Sequence, residues 1–520
     1  MRLLAGSDIS KQIDEFTVNE TGIPSLVLME RAALAMADEI CKRAERYNLS
    51  KDAVILCGSG NNGGDGAACG RILMERGFTV TVLVFEGKHG FSKSMDAQVH
   101  ILENLFSDVR VFPVEMLDKE LIESFNLQEY SFIVDALFGV GLARNIEGGY
   151  AKLINAVNAC EAFKVSCDLP SGINADTGKI MGTAIKASLT VTMGFDKPGI
   201  VLFPGTEYAG EKVVVDIGFD PTASVMFDSH IHAFDRKKDM ENIVPERKEY
   251  SNKGDFGKVL IIAGSEEMHG AAFLSGLAAY RTGAGLVRFF TSEKNRSILA
   301  ALLPEALIST FGESPDEVMS DKMRADLKKA LEWASVVVVG PGMGISKRSL
   351  SIIKEVTETT EVPLIIDADA LSQFRKSGAS VRDNFIFTPH LKEMERLSGC
   401  TVNECKADII GISRKFVGEN GGVLVLKDAR SVVSGRRMPD DDFISTTVID
   451  SGTSALAKGG SGDVLTGIIA GLAAMGEELY MAAAKGAYIH GLAGEAAEER
   501  IGKNSVLARD VADAISYVLK

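Results

Sequence analysis

The chain has 520 residues, more than one domain usually contains, which favours two or more domains with separate cores. Hydrophobic residues make up 46% of the sequence and charged residues 24%, as in soluble globular proteins. The 56 basic and 71 acidic residues give a formal net charge of −15, which argues against a general affinity for nucleic acid or anionic membranes.

The cysteines and the hydropathy of the chain bear on its compartment. The seven cysteines are scattered and form no CxxC pair, which fits a reducing environment. The first residues turn polar too soon for a signal-peptide core, and no apolar run is long enough to span a bilayer. We therefore expect a cytoplasmic protein that binds neither nucleic acid nor membrane.

The first part of the chain alternates between short β-branched segments and segments with helical spacing. Helices are predicted at Val27–Tyr47 and Ala67–Glu75. The predicted strands are Ala53–Cys57, Thr79–Phe85, Phe132–Asp135, Lys164–Asp168, Leu189–Met193 and Lys212–Asp216. This order predicts parallel βαβ units in a Rossmann-like αβα sandwich over residues 1–220.

The alternation of predicted strands and helices stops between Gly218 and Asn252. We predict a linker there, at residues 221–235. A second α/β domain is predicted at residues 236–520, with helices that include Ala271–Thr282, Val464–Ala474 and Met481–Arg500. Its predicted strands are Lys258–Ala263, Leu286–Phe290, Val336–Val339, Leu364–Asp367, Asn384–Phe387 and Gly422–Lys427.

A glycine-rich segment, Gly58–Gly66, directly follows the predicted strand Ala53–Cys57. A turn of this kind before a helix points backbone N–H groups at one place, which suits a phosphate or another anion. The spacing of Gly58, Gly60 and Gly63 also matches GxGxxG, a pattern that many glycine-rich turns satisfy. A tight turn without a ligand therefore stays open as the alternative.

Two later predicted strands end in aspartate, at Asp135 and Asp168. Open α/β sheets bind ligands at the carboxyl ends of their strands, so we expect Asp65, Asp135 and Asp168 to converge with Asn62 and Ser171. Such oxygen ligands suit an alkali ion, Mg²⁺ or Ca²⁺, and an aspartate can also transfer protons. The alternative for each aspartate is a helix cap.

These segments resemble a known family. Gly58–Gly66, the Asp135–Gly141 turn and the Asp168–Gly172 turn are similar to the motifs of the NAD(P)H-hydrate epimerase domain, the YjeF N-terminal family. The segment Gly22–Glu30 resembles that family too, so the likeness covers about residues 1–220. It implies interconversion of the R and S forms of hydrated NADH or NADPH, with a bound K⁺ ion.

The resemblance implies a role for individual residues. Asn62, Asp135 and Ser171 resemble the K⁺ ligands, and Asp168 resembles the residue at the reacting carbon. A carboxylate there can assist proton transfer while the hydroxyl leaves and returns on the other face of the ring. The positions that resemble the substrate-binding residues are Asn61, Asn62, Gly63, Gly64, Asp65, Gly139, Val140, Gly141, Leu142, Ala143, Arg144, Asn145 and Asp168.

A second glycine turn, Gly459–Gly462, precedes Asp463 and an apolar helix. The N-terminus of that helix suits the charge on a transferring phosphoryl group, and Asp463 is placed to take the proton from an attacking hydroxyl. A helix N-terminus for the phosphoryl group together with an aspartate base is typical of kinases that act on a hydroxyl group. A helix cap after a flexible lead-in is the alternative.

Further segments of the second half fit such a site. Gly340–Gly344 and Asp367–Asp369 each follow a predicted strand. His390 follows another, although a lone histidine is more often structural than catalytic. Lys427 either contacts a nucleotide phosphate or lies in a solvated hairpin.

Together with Asn252–Lys258 and Gly270–Ser275, these segments resemble the ribokinase-like superfamily and, within it, the ADP-dependent NAD(P)H-hydrate dehydratase family, over residues 236–520. The family implies that ADP phosphorylates the C6 hydroxyl of the S hydrate and that phosphate then leaves, so that AMP, phosphate and NAD(P)H are released. Asp463 would be the general base, Gly459–Gly462 the anion hole, and Mg²⁺ the charge-neutralising partner.

The positions that resemble hydrate-binding residues are Ala272, Gly344, His390 and Asp463. The positions that resemble nucleotide-binding residues are Lys427, Asp428, Ala429, Arg430, Ser431 and Gly462. Lys427–Arg430 departs from the lysine-glycine form common in the family, which weakens the expected adenine-nucleotide contacts there.

The two resemblances fit each other, because a dehydratase specific for the S hydrate needs an epimerase to supply it from the R form. We expect a metabolite-repair enzyme that acts on hydrated NADH or NADPH with an adenine nucleotide and forms a homo-oligomer. Two alternatives stay open. One is an ordinary small-molecule hydroxyl kinase fused to a nucleotide-sensing domain, and the other is a first domain that binds without catalysing.

Overall fold

The computed structural model describes residues 1–105, 108–312, 314–438 and 441–520. Within these residues the chain divides into two compact units: Leu3–Ile231 forms one, and His232–Lys520 with Met1–Arg2 forms the other. Among the residues that the structure describes, every helix is too short or too polar to span a bilayer.

Parallel strands form the centre of the first unit. The strands up to residue 231 are β1 (Arg2–Leu3), β2 (Asp52–Cys57), β3 (Thr79–Glu86), β4 (Val109–Pro113), β5 (Phe132–Ala136), β6 (Phe163–Cys167), β7 (Leu189–Met193) and β8 (Glu211–Val215). In the described part of the chain, seven of them form one sheet in the order β4-β3-β2-β5-β6-β7-β8. Each pairing in it is parallel, so the carboxyl ends of these strands share one edge.

Helices cover both faces of this sheet. They are α1 (Ser7–Asn19), α2 (Ser25–Tyr47), α3 (Asn61–Glu75), α4 (Lys93–Leu105), α5 (Lys119–Ser124), α6 (Gly148–Ala159), α7 (Pro198–Val201), α8 (Gly205–Ala209) and α9 (Ala223–Met226). Side chains of β2 alternate between the faces: Ile55 packs in a core with α2 and α3, whereas Leu56 packs in a second core with α6. The predicted αβα sandwich is confirmed.

The helix after the first glycine turn begins earlier than predicted. The sequence suggests a start at Ala67, but α3 begins at Asn61, so only Gly58–Gly60 forms the turn. Glycine usually weakens a helix, but here it permits close packing. A Cβ on Gly63 would lie 1.9 Å from the carbonyl oxygen of Gly58, and a Cβ on Gly66 would lie 2.4 Å from the Cβ of Ala136 on β5.

The second unit is built on a larger sheet. Its strands are β9 (Ile231–Ala233), β10 (Lys258–Ile262), β11 (Leu286–Ser292), β12 (Leu307–Phe311), β13 (Val336–Val339), β14 (Leu364–Ile366), β15 (Phe385–Phe387), β16 (Val423–Leu426), β17 (Val432–Gly435) and β18 (Ser445–Val448). The strand order is β1-β9-β18-β17-β16-β15-β14-β13-β10-β11-β12. The pairings from β12 to β16 are parallel, but β16 pairs with β17, and β17 with β18, in antiparallel fashion.

The helices of this unit are α10 (His269–Thr282), α11 (Arg296–Leu302), α12 (Asp321–Trp333), α13 (Lys347–Thr359), α14 (Asp369–Ser377), α15 (Leu391–Ser398), α16 (Val402–Ala407), α17 (Ile409–Asn420), α18 (Ser461–Ala474), α19 (Leu479–Ile501) and α20 (Ala508–Val518). Helices α10, α18, α19 and α20 pack against one face of the sheet around Val259 and Ile261 of β10. The alternate β10 residues, Leu260 and Ile262, point to the other face and are also buried. The second unit therefore has the ribokinase-like αβα architecture expected from the sequence.

Candidate functional sites

A cavity of about 890 Å³ opens in the first unit, a volume within the usual range of small-molecule sites. Its lining includes these predicted residues: Asn61, Asn62, Asp65, Gly139, Val140, Gly141, Leu142, Ala143, Arg144 and Asp168. The other predicted substrate-binding residues lie differently. Gly63 and Gly64 are buried in the first turn of α3, and Asn145 is exposed.

Asp168 sits directly after β6, where its backbone adopts a left-handed conformation with φ +65°. Aspartate adopts this conformation more readily than most residues other than glycine, and the hydrogen bonds of its side chain hold it there. Its Oδ1 accepts hydrogen bonds from Lys197 Nζ, from Thr192 Oγ1 at 3.1 Å and from the Met193 N–H at 3.0 Å. The side chain retains 13% of its exposure, which it presents to the cavity.

Sequence reasoning did not identify Lys197. This lysine is only 2% exposed, and besides Asp168 its Nζ donates to Thr192 Oγ1 at 2.8 Å and to the Met193 carbonyl at 3.0 Å. It also lines the cavity. The available signal was a charged pair, Asp196-Lys197, placed between an apolar strand and a proline.

Further carboxyl groups line this cavity beside Asp168, and two of them have a raised pKa. Burial raises the pKa of Asp65 well above its ordinary value, and the charges of Asp168 and Asp14 raise it further. Burial also raises the pKa of Asp14, which comes from α1 and was not identified from the sequence. The cavity lining thus includes five aspartates, Asp8, Asp14, Asp65, Asp168 and Asp176, and the buried Lys197 pairs with Asp168.

Asp135 and Ser171, two of the predicted K⁺ ligands, are in direct contact. Asp135 is fully buried, and its Oδ1 accepts a hydrogen bond of 2.5 Å from Ser171 Oγ. Its Oδ2 accepts from the Ser171 N–H and from Ser166 Oγ, each at 2.8 Å. Burial raises the pKa of Asp135, whereas these hydrogen bonds lower it. Of the three aspartates expected to converge, Asp65 and Asp168 line the cavity, while Asp135 turns toward these serines.

Asn62, the third predicted ligand, lies beside this pair. Its amide group is 3.2 Å from where a Cβ on Gly139 would stand, and Gly139 follows Phe138, whose carbonyl oxygen is 3.3 Å from Ser171 Oγ. Within the described residues, the buried Nδ2 of Asn62 has no hydrogen-bond partner. Nδ2 is a hydrogen-bond donor and cannot bind a cation. The side-chain oxygen of Asn62, the carboxyl group of Asp135, the hydroxyl of Ser171 and the carbonyl oxygen of Phe138 are oxygen ligands of the kind that an alkali cation takes.

The second site forms where α18 begins. The helix starts at Ser461, directly after Gly460, whose φ of +91° favours glycine, so α18 starts three residues before the predicted Val464. Asp463 lies in the first turn of α18. Its pKa is raised to about 7, first by burial and then by the charge of Asp367, while Lys427 opposes the rise.

Lys427 belongs to this site and not to a solvated hairpin. Its Nζ pairs with Asp367 Oδ1 at 3.0 Å and lies 3.3 Å from where a Cβ on Gly462 would stand. Burial lowers the pKa of Lys427, but the charges of Asp367 and Glu393 outweigh burial and raise it. Asp367 is 1% exposed and also accepts hydrogen bonds from Thr388 at 2.6 Å and Thr466 at 2.8 Å.

The other predicted residues of this site differ in their contacts and in their exposure to solvent. His390 caps α15 through Nδ1, which accepts from the Lys392 and Glu393 N–H groups, and its side chain is half exposed. Gly344 donates its N–H to Asp369 Oδ2 at 2.9 Å, and Ala272 is buried in α10. The segment after Lys427 includes Asp428 and Ala429, which are exposed, and Arg430 and Ser431, which are partly exposed.

A buried histidine that the sequence did not single out supports the glycine turn. His490 of α19 lies 3.1 Å from Ser461 Oγ through its Nε2. Burial lowers the pKa of His490 to about 4, so its ring is neutral near pH 7.

Comparisons with known proteins match both units. A family model described as YjeF-related protein N-terminus matches residues 25–199, and one described as NAD(P)H-hydrate dehydratase matches residues 259–517. The bifunctional NAD(P)H-hydrate repair enzyme of Moorella thermoacetica is 33% identical over 519 residues, which cover 98% of this chain and 95% of the relative. The enzyme of the same name from Escherichia coli K12 is 33% identical, with 96% and 90% covered.

Among solved structures, a ribokinase-like superfamily protein from Enterococcus faecalis matches with a TM-score of 0.50 and 26% identity. The match covers 56% of this chain and 96% of that protein.

Proposed function

Because this chain belongs to the family of bifunctional NAD(P)H-hydrate repair enzymes, we propose that its first unit epimerises hydrated NADH or NADPH and that its second unit dehydrates the S form with ADP. The observation that carries this proposal is the pair of separate acidic sites. One is a cavity in which Lys197 holds the Asp168 side chain by an ion pair. The other is a glycine turn beside Asp463, whose pKa is about 7.

Epimerisation at Asp168 requires the C6 hydroxyl to leave and water to return on the opposite face. When the C–O bond breaks, its electrons go to oxygen and the ring nitrogen forms a double bond to C6. The Asp168 carboxylate stabilises the resulting positive charge and takes up the proton of the returning water. That proton then passes to the released hydroxide, which becomes water, and the carboxylate is regenerated. The cavity volume of about 890 Å³ allows the ring and the adjoining dinucleotide to enter together.

The residues of this unit fit a K⁺ ion, which Asn62, Asp135 and Ser171 would hold with the carbonyl oxygen of Phe138. Support comes from the contact between Asp135 and Ser171 and from the position of the Asn62 side-chain oxygen beside Gly139. A bound K⁺ ion supplies a fixed positive charge at the edge of the cavity. This site brings Asn62 close to Gly139, and both residues are also predicted to contact the substrate.

Dehydration at the second site begins with Asp463 acting as the general base on the C6 hydroxyl. The hydroxyl oxygen attacks the β-phosphorus of ADP and AMP leaves, so a poor leaving group becomes a phosphate ester. The N–H groups that begin α18 and the Lys427 ammonium stabilise the charge of the transferring group. Phosphate then departs from C6, a proton is lost from C5, and the double bond of the dihydronicotinamide is restored.

Mg²⁺ fits this site as a partner of the ADP phosphates. Such ions bind one or two carboxylates together with phosphate oxygens and water. Glu393 offers a carboxylate beside Lys427 and Asp367, whose charges act on it. A Mg²⁺ ion bound there neutralises negative charge on the phosphates.

Two single substitutions separate the two activities. In Asp463→Asn, epimerisation between R and S hydrates persists, measured by chromatography, while NADH formation stops. In Asp168→Asn, only the S half of a mixed hydrate is dehydrated beyond the spontaneous rate. Loss of both activities in either soluble variant contradicts two independent sites.

The same assay tests the two alternatives. Accumulation of a stable phosphorylated product, without inorganic phosphate, would indicate an ordinary hydroxyl kinase. Unchanged consumption of the R hydrate in Asp168→Asn would indicate that the first unit only binds.

A further inference from the structure

The two oxygens of the Asp168 carboxylate have different surroundings. Oδ1 accepts from three donors: Lys197 Nζ, Thr192 Oγ1 and the Met193 N–H. Within the described residues, Oδ2 makes no hydrogen bond. One oxygen is therefore held by the protein, and the other is left for a ligand in the cavity.

All three N–H groups of the Lys197 ammonium donate hydrogen bonds within the protein. Its three N–H donors match three acceptors: Asp168 Oδ1, Thr192 Oγ1 at 2.8 Å and the Met193 carbonyl at 3.0 Å. With 2% exposure it retains no donor for a substrate. Lys197 therefore acts on chemistry in this cavity through Asp168 and not by direct contact.

The charge of Lys197 matters because several acidic groups share the cavity. Asp14 from α1 and Asp65 from α3 face Asp168, and the Cys167 thiol lies beside it on β6. The lysine and arginine at the cavity wall, Lys11 and Arg144, are exposed. Lys197 is the buried cation in the lining, and its ion pair with Asp168 sets this carboxyl group apart from the other aspartates.

Resting on the proposed epimerase function, we propose that Lys197 is a positioning residue that holds Oδ1 of Asp168 and leaves Oδ2 alone to meet the hydrate. The left-handed backbone of Asp168 fits this role, because it directs the side chain back toward β7, where Thr192 and Met193 lie. Thr192 and Met193 contact both members of the ion pair and fix its geometry.

The test removes the charge of Lys197 and keeps a polar side chain of similar size. Lys197→Gln is made in the full chain carrying Asp463→Asn, so that only epimerisation of the R hydrate is followed by chromatography. We expect kcat to fall by about 100-fold, the scale of acid–base catalysis, with KM changed by less than about threefold.

Controls separate this role from a structural one. Lys212→Gln is the matched control: Lys212 pairs with Asp196, the neighbour of Lys197, at 3.8 Å and does not contact Asp168, so kcat and KM should stay unchanged. Lys197→Arg retains the charge and should recover kcat relative to Lys197→Gln. A rise in KM with kcat unchanged would overturn the proposal, as would an unchanged rate in Lys197→Gln or no recovery in Lys197→Arg.

A double substitution covers the case in which Lys197→Gln fails to fold. In an Asp168→Asn background, removal of the lysine charge leaves no unpaired carboxylate, so the doubly substituted chain should fold. Its epimerisation rate should equal that of Asp168→Asn alone, since Lys197 acts only through Asp168. A further loss would overturn the proposal. Absence of epimerisation in the chain with native Lys197 and Asp168 would instead refute the proposed function.

Discussion

The pKa of Asp463 makes the dehydration rate depend on pH near neutrality. Burial and the charge of Asp367 raise this pKa to about 7, and the ionised form is the one that accepts the hydroxyl proton. With that pKa, about one tenth of the enzyme is ionised at pH 6 and about nine tenths at pH 8. We therefore expect kcat/KM for the S hydrate to rise about tenfold over this interval.

Two neighbours should move this profile in opposite directions. The Lys427 charge lowers the pKa of Asp463 and the Asp369 charge raises it. Lys427→Met should therefore shift the acidic limb to higher pH, and Asp369→Asn should shift it to lower pH. The direction of the shift is the informative quantity, because either substitution can also lower the absolute rate.

The assay follows NADH absorbance after the purified S hydrate is added to the enzyme with saturating ADP and Mg²⁺, from pH 5.5 to 9. The spontaneous reaction at each pH is subtracted. A flat profile between pH 6 and 8, measured where chemistry limits the rate, would refute the assignment of Asp463 as the base. Shifts of the same sign in both variants would refute the electrostatic explanation.

The structure makes three further predictions. The native chain should lose stability relative to Asp463→Asn as pH rises from about 4 to 7, because Asp463 ionises over this range in the unfolded chain but stays protonated in the folded one. Urea unfolding at pH 5 and 8 measures the difference, and a difference that does not depend on pH would contradict the prediction. Ser171→Ala removes a neighbour of Asp135 and should weaken any activation of epimerisation by K⁺ over Na⁺, as titration of the salt would show. Gly66→Ala places a Cβ 2.4 Å from that of Ala136 and should destabilise the first unit by about 1–3 kcal/mol in thermal unfolding. The control is Gly77→Ala, where the Cβ meets open space and the only destabilisation expected is the backbone strain of its φ of +83°.

The apolar strands and the acidic residues at their ends were predictable from the sequence. Strands such as β2 and β13 are short apolar runs after helical segments, and this alternation fixes the αβα class. Because parallel strands end at one edge, the sequence also indicated that Asp65 and Asp168 meet. The antiparallel strands β17 and β18 were missed, since short segments joined by turns lack the intervening helix that marks a βαβ unit.

What could not be predicted depends on contacts between distant residues. The start of α3 was misplaced because glycine disfavours helices, and only the close approach of Gly66 to β5 explains its presence there. Lys197 stands 29 residues from Asp168 in the sequence, and no periodicity links them. His490 likewise meets Ser461 only because α19 packs against α18.

The most direct test of two cooperating sites is the yield of NADH from an equal mixture of R and S hydrates. The purified full chain is incubated with this mixture, excess ADP and Mg²⁺, and NADH and inorganic phosphate are measured until both are constant. The account predicts recovery of nearly all the NADH, with one phosphate released for each molecule. A plateau at half of the hydrate, beyond the spontaneous rate, would contradict it.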